Sequence, residues 1–389
     1  MKNHLLAIFI LCSLSSAAQI SFTNLPNQPP DNMVSIVADP TNNDVYAAAT
    51  LKVIKSIDNA VHSPATRLLS EQFDHVEWTG FRFYDIIMPL FLFIVGVSLP
   101  FSYKRRLQKN PDRTQLWGHI IRRFCILWIL GMAVQGNLLG YDFSQFKFYS
   151  NTLQAIASGY LIASILILYL RVNWQIIAGI ILLLVYWMIL MLVPIPGIGA
   201  GAFTPQNNFA IYLDKLVFGK FQDGTTYSWI LSSLNFGVTV LLGVFTGYFL
   251  QTGYSKLKKI LYLVLAGFGL IFLALIWNIW HPIVKHIWTS SFVLFAGGLS
   301  VLLIALFSWM VDYLEWKKGF KFFIVIGMNA IFAYMAAHLF DWGLIADVFL
   351  KGLEKYVGSY YGFIRSIGGF SVLYIILYGM YKHKIFIKI

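Results

Sequence analysis

The chain has 389 residues, of which 58% are hydrophobic and only 12% charged, and its formal net charge is +12. A water-soluble core cannot absorb that share of apolar surface, so the composition implies a bilayer as solvent and excludes an ordinary soluble enzyme. The basic excess lies in short loops rather than on an aromatic-interleaved soluble face, which excludes nucleic acid as a partner.

The N-terminus "MKNHLLAIFILCSLSSAAQ" has a basic start, a short apolar core and small residues at its end. It predicts a secretory signal over 1–19, cleaved after Ala18 or kept as a signal anchor. Cys12 and Cys125 are the only cysteines, so no disulfide framework or cysteine-based metal site is available. Residues 20–66 are rich in Asn, Asp and Pro around short β-type runs such as "VSIVA" and "DVYAA". They are similar to one blade unit of a β-propeller; a single unit cannot close a propeller, so a partly ordered periplasmic segment is expected.

Residues 67–389 form a multispan membrane domain. Apolar runs of about 20 residues, the length a bilayer core requires, recur at 85–103, 117–139, 152–170, 173–193, 228–250, 259–280, 290–311, 321–340 and 362–381. The fold class expected is an all-α polytopic bundle of about nine transmembrane helices after the signal segment; the period-2 alternation of a membrane barrel is absent. With residues 104–116 in the cytoplasm, the inner loops collect Lys104, Arg105, Arg106, Arg122, Arg123, Lys256, Lys258, Lys259 and Lys382, against Asp112, Asp312 and Glu315 as the inner acids. This one-sided distribution predicts a bacterial inner membrane protein with residues 20–84 and 194–227 outside. Membrane lipid is then the first partner, and the inner cations suit anionic lipid or an anionic cofactor.

Three stretches carry candidate chemistry. In "FDHVEWTGFRFYDII" (73–87), His75 stands among Asp74 and Glu77 ahead of the first apolar run, and Asp85 sits at the lip of that run. A histidine exchanges protons near neutrality, and a neighbouring carboxylate orients one ring nitrogen; Asp85 alternatively stabilises a helix N-terminus. "HPIVKHIWTSSF" (281–292) brings Lys285 and Trp288 to one outer edge, as interfacial anchors or as the rim of a sugar site. "GMNAIFAYMAAHLF" (327–340) places Asn329 inside a span, where an amide needs a helix partner or a ligand, and His338 at its outer end. Gln135, Asn137, Gln154, Asn235 and Asn278 also fall in the outer halves of spans, which predicts a polar cavity opening outward. No metal-ligand spacing is present, so no metal is expected.

"HVEWTGFRFYDIIMPLFLFIVGVSLPFS", "NTLQAIASGYL", "HPIVKHIWTSSFVL" and "GMNAIFAYMAAHLF" together resemble the heparan-α-glucosaminide N-acetyltransferase family and its bacterial relatives over residues 67–340. The resemblance implies acetyl transfer across the membrane, from cytoplasmic acetyl-CoA as co-substrate to an amino sugar or envelope glycan outside. It implies His75 and Asp85 as catalytic residues and Lys285, Trp288, Asn329 and, one residue out of step with some relatives, His338 at the acceptor; Gln154, within the matching "NTLQAIASGYL", is expected beside them, and by charge alone the inner Arg105, Arg106, Arg122 and Arg123 suit the phosphates of CoA. Members of the family run from "RLLS" into a span and an Asn-containing loop before the histidine. Here "RLLS" (67–70) meets "EQFDHVEW" directly, so the family's first span is expected to be missing. Two other readings stay open: a glycan transporter or flippase, and a catalytically inactive relative.

Overall fold

The computed structural model describes residues 71–316 and 320–387. The signal segment, the 20–66 segment, Cys12 and the junction at 67–70 lie outside the described residues. Among the described residues there is no strand, only isolated bridges.

The helices start where short polar side chains can cap them. A single 3-10 turn, Phe83–Ile86, leads into α1 (Ile87–Lys109), which stops at Asn110 before Pro111. Asp112 caps α2 (Arg113–Val134), Asn151 caps α3 (Thr152–Tyr169), and α4 (Val172–Leu192) follows. Asn208 caps the short α5 (Phe209–Phe218), inside the long loop that leads to α6 (Ser232–Leu250). Ser255 caps α7 (Lys256–Trp277), and Thr289 caps α8 (Ser290–Phe307), which ends in a π-helical turn at Ser308–Tyr313. Then come α9 (Lys321–Gly327), α10 (Ala330–Leu339), α11 (Trp342–Leu350) and, after single turns, α12 (Tyr361–Lys382).

Eight of the described helices are long and apolar enough to cross a membrane, and α9 with α10 makes a ninth candidate, bent by 75°. The protein is a multi-pass helical membrane protein. Among the described residues the ninth candidate is broken by that bend. Asn329 leaves helical geometry between α9 and α10 (φ −129°, ψ 40°). Its amide instead clasps the C-terminal tail, donating to the Ile385 carbonyl (3.0 Å) and accepting from the Ile387 N–H (2.9 Å).

Helices α1, α3, α6 and α8 bury more than half of their apolar length inside the bundle, while α2, α4, α7 and α12 bury less than a third. The first four are the core, and their contacts are close because glycines permit it. A methyl group on Gly96 of α1 would overlap the Val240 carbonyl of α6, and one on Gly243 of α6 would overlap the Phe93 carbonyl of α1. The two backbones touch, which holds the start of α1 in fixed register beside the segment entering α6.

Candidate active site

The functional groups collect at the end of the bundle where α1, α3, α6 and α8 begin. Asp85 occupies the 3-10 turn before α1 and is almost fully buried. Its Oδ2 accepts the Arg82 N–H (3.0 Å), and its Oδ1 meets His75 Nδ1 at 2.6 Å and Lys285 Nζ at 3.3 Å. A carboxylate can only accept, so His75 Nδ1 carries a proton, which in the neutral ring leaves the lone pair on Nε2. The ring packs edge-on against Tyr84 at 4.7 Å, and Arg82 fixes the backbone by donating to the His75 carbonyl (2.8 Å). Lys285 Nζ lies 3.0 Å from His75 Nδ1. The three side chains therefore form one compact unit: a histidine, the acid that bonds its Nδ1, and a buried ammonium that balances the acid.

Lys285 arrives from a loop 210 residues away in the chain, and the fold of that loop explains how. The Ile283 carbonyl accepts the Gly80 N–H (2.8 Å), which ties the loop to the His75 segment. Trp288 adopts a left-handed backbone (φ 50°), and its fully buried indole donates to Thr239 Oγ1 (3.1 Å). Asn235 donates to the Trp288 carbonyl (2.7 Å). Trp288 is thus the plug that seats the loop in the bundle. His281, fully buried, accepts the Ser290 N–H at Nε2 (3.0 Å), and burial pushes its pKa down to about 3.

An open cavity lies beside His75 and Lys285. Tyr84, Ile87, Met88 and Phe91 of the α1 region, Gln135 after α2, Ser150, Asn151 and Thr152 at the start of α3, Tyr227 and Trp229 before α6, and Tyr334 of α10 complete its lining. Its aromatic wall is a stack: His286 on Tyr227 (4.3 Å, 14°), Tyr227 on Trp229 (6.1 Å, 27°), Trp229 on Tyr149 (5.2 Å, 29°). Two buried acids hold Trp229 in that stack. Asp223 accepts its indole N–H (2.8 Å), and Asp214 accepts the Trp229 and Ile230 backbone N–H groups (2.6 and 3.0 Å). Burial pushes the Asp214 carboxyl up to about 7, against the pull of those two bonds.

The residues expected from sequence are distributed unevenly. His75, Asp85 and Lys285 converge. Gln154 is fully buried beneath the cavity lining and bonds Ser150 N and the Phe148 carbonyl. His338 stands behind Tyr334, its ring tilted by 35° at 4.1 Å, with its Nδ1–H donating to the Tyr334 carbonyl (2.8 Å). Trp288 and Asn329 do not line the cavity. Arg105 and Arg106 are exposed near the far end of α1, about 30 Å of helix from Asp85. Arg122 is exposed on α2, and Arg123 is half-buried over the Tyr160 ring (4.8 Å). Ser150, Tyr227, Trp229 and Tyr334 are the members that sequence reasoning missed. The aromatic pair in "TTYSWI", just ahead of a span, was the available signal for two of them. Among the described residues no three metal-ligating side chains converge.

No family model matches the chain. Among curated proteins it is similar to heparan-alpha-glucosaminide N-acetyltransferase of Homo sapiens, 23% identical over 82% of this chain and 56% of that protein. The Mus musculus protein of the same name matches at the same identity and coverage. The chain thus spans little more than half the length of the curated relatives it matches.

Proposed function

We propose, from the premise that the chain is a distant relative of the heparan-alpha-glucosaminide N-acetyltransferases, that it is a membrane acyltransferase. It passes an acetyl group from acetyl-CoA, a co-substrate on the cytoplasmic side, to an amino sugar or envelope glycan on the outer side of a bacterial inner membrane. The observation that carries the reading is the His75–Asp85–Lys285 unit at the edge of a cavity walled by stacked aromatics.

The chemistry follows from the parts. An amino sugar is a poor nucleophile while its amine is protonated, so transfer needs a positioned base. His75, its proton held on Nδ1 by Asp85, offers Nε2 for that proton. The Lys285 ammonium offsets the buried carboxylate and favours negative charge developing nearby. The faces of Tyr227 and Trp229 suit the apolar face of a sugar ring. Arg105, Arg106, Arg122 and Arg123, toward the opposite end of the bundle, are the donors suited to the phosphates of the co-substrate.

The broken α9–α10 span favours a second reading, because discontinuous helices beside a polar cavity also occur in transporters. One experiment separates the two. Membranes containing the protein are given labelled acetyl-CoA and a panel of amino sugars. The acyltransferase labels an acceptor, and His75→Ala lowers single-turnover transfer by about 10²–10⁴-fold, the usual contribution of a general base. A transporter labels none of them. Wild-type transfer by His75→Ala would return the histidine to an ordinary loop residue.

A further inference from the structure

The segment that enters α3 is pinned at nearly every polar group. The Tyr149 hydroxyl bonds Ser158 (2.6 Å) and Ser233 (3.1 Å). Asn151, buried, caps the Leu153 and Gln154 N–H groups (2.9 and 3.3 Å) and donates to the Gly131 carbonyl. Gln154 accepts the Ser150 N–H (2.9 Å) and donates to the Phe148 carbonyl (2.7 Å). In the middle stands Ser150, 1% exposed, whose Oγ has no hydrogen-bond partner among the described residues.

Buried hydroxyls are nearly always bonded, so one left over amid so much satisfied polarity points to a partner from outside the chain. Its location says what kind. Ser150, Asn151 and Thr152 line the same cavity as His75 and Lys285. They sit at the N-terminus of an 18-residue helix, the end that carries partial positive charge. A buried hydroxyl and a helix N-terminus at the border of a cavity that also holds His75 form an arrangement suited to an oxygen that gains negative charge during reaction.

We infer that Ser150 is a further catalytic residue, whose Oγ–H, backed by the N-terminus of α3, donates to the carbonyl oxygen of the acyl thioester. The inference rests on the acyl-transfer reading. His75 Nε2 takes a proton from the acceptor amine as the amine nitrogen bonds to the thioester carbonyl carbon. The carbonyl π pair moves onto oxygen, where Ser150 holds it. As that pair returns, the carbon–sulfur bond breaks, the amide is complete, and His75 gives its proton to the departing sulfur. Gln154, fixing the Ser150 backbone from beneath, is a positioning residue.

The test compares wild type, Ser150→Ala and Ser150→Thr at equal amounts in membranes, measuring kcat and KM for labelled acetyl-CoA, with the thermal midpoint of each purified protein. Ser150→Ala is expected to lower kcat by about 10²-fold, as loss of one oxyanion donor does. KM stays near wild type, the midpoint is unchanged or raised because no internal bond is lost, and Ser150→Thr recovers most of kcat. Wild-type kcat in Ser150→Ala overturns the inference alone. So does a variant that fails to accumulate or melts early, since the hydroxyl would then be holding the fold. Absence of transfer by the wild type overturns the acyl-transfer reading, and this inference with it.

Discussion

Asp85 has more partners than an acid at a helix start requires. A dipole-stabilising carboxylate sits near solvent and is worth a fraction of a kcal/mol, about 0.3–1. Asp85 is buried and shared between His75 and Lys285. The two readings of Asp85 left open by sequence therefore combine: it accepts a helix-turn N–H with one oxygen and orients the histidine with the other. Asp85→Asn should remove the carboxylate that balances the Lys285 ammonium in a nearly dry site, a loss on the order of 3–5 kcal/mol. Adding Lys285→Met should recover most of that stability and none of the transfer activity. Thermal midpoints of the two variants in detergent check this; a double variant no more stable than Asp85→Asn would rule out the charge balance. The His75–Asp85 pair was legible because ten residues separate its members on one side of a single span. The partner lysine was legible as a loop cation, but its aim was not, since that depends on the left-handed turn at Trp288. His281 makes a second prediction at this scale. The unfolded chain protonates it near the ordinary ~6.5, whereas the folded chain keeps it neutral down to about 3. In that window the unfolded state binds the extra proton, so stability falls as pH falls below 6.5, by about 1.4 kcal/mol per unit well into the window. His281→Gln should flatten that acid limb relative to wild type in melting curves taken from neutral to acid pH.

At the level of the elements, eight spans were readable from apolar run length, while four of them take their exact starts from the caps Asp112, Asn151, Ser255 and Thr289. The bend in the ninth candidate was not. Run length carries no information on an amide that finds its partners in a tail 56 and 58 residues further on. The tightness of the α1–α6 contact was equally hidden, because a glycine facing a backbone and one facing lipid look alike in sequence. Gly243→Ala should prevent accumulation of folded protein, since its methyl meets main chain that cannot move aside. Gly269→Ala on α7, where nothing lies within 4 Å, should be neutral or stabilise by up to about 1 kcal/mol. Fluorescence-detected size exclusion of both variants checks the contrast.

Across the whole molecule, the cavity is assembled from five separated segments, near residues 75–91, 135–152, 227–229, 285 and 334. No local pattern ties these together, so the placing of Ser150 and Tyr334 in one cavity with His75 needed the fold. The sidedness of the chain rests on a different signal, the loop charges. In a Cys12→Ser, Cys125→Ser background, a cysteine at Thr204 should react with an impermeant thiol reagent added outside, and one at Gln108 only after the membrane is opened. Both positions are exposed, so reversed labelling would invert the orientation on which the proposed direction of transfer depends.

The backbone contact between α1 and α6 also bears on bilayer thickness. A membrane thicker or thinner than a protein's apolar belt is accommodated by helix tilt or sliding, at a cost of fractions of a kcal/mol per ångström. Two helices whose glycines admit each other's carbonyls cannot slide without collision, so α1 and α6 cannot share in that adjustment. It falls instead to α2, α4, α7 and α12, which are mostly lipid-facing. The unit on α1 and the aromatic wall entering α6 are thereby uncoupled from their host lipid, and acyl transfer should run at one rate in short-chain and long-chain bilayers while the melting temperature shifts between them.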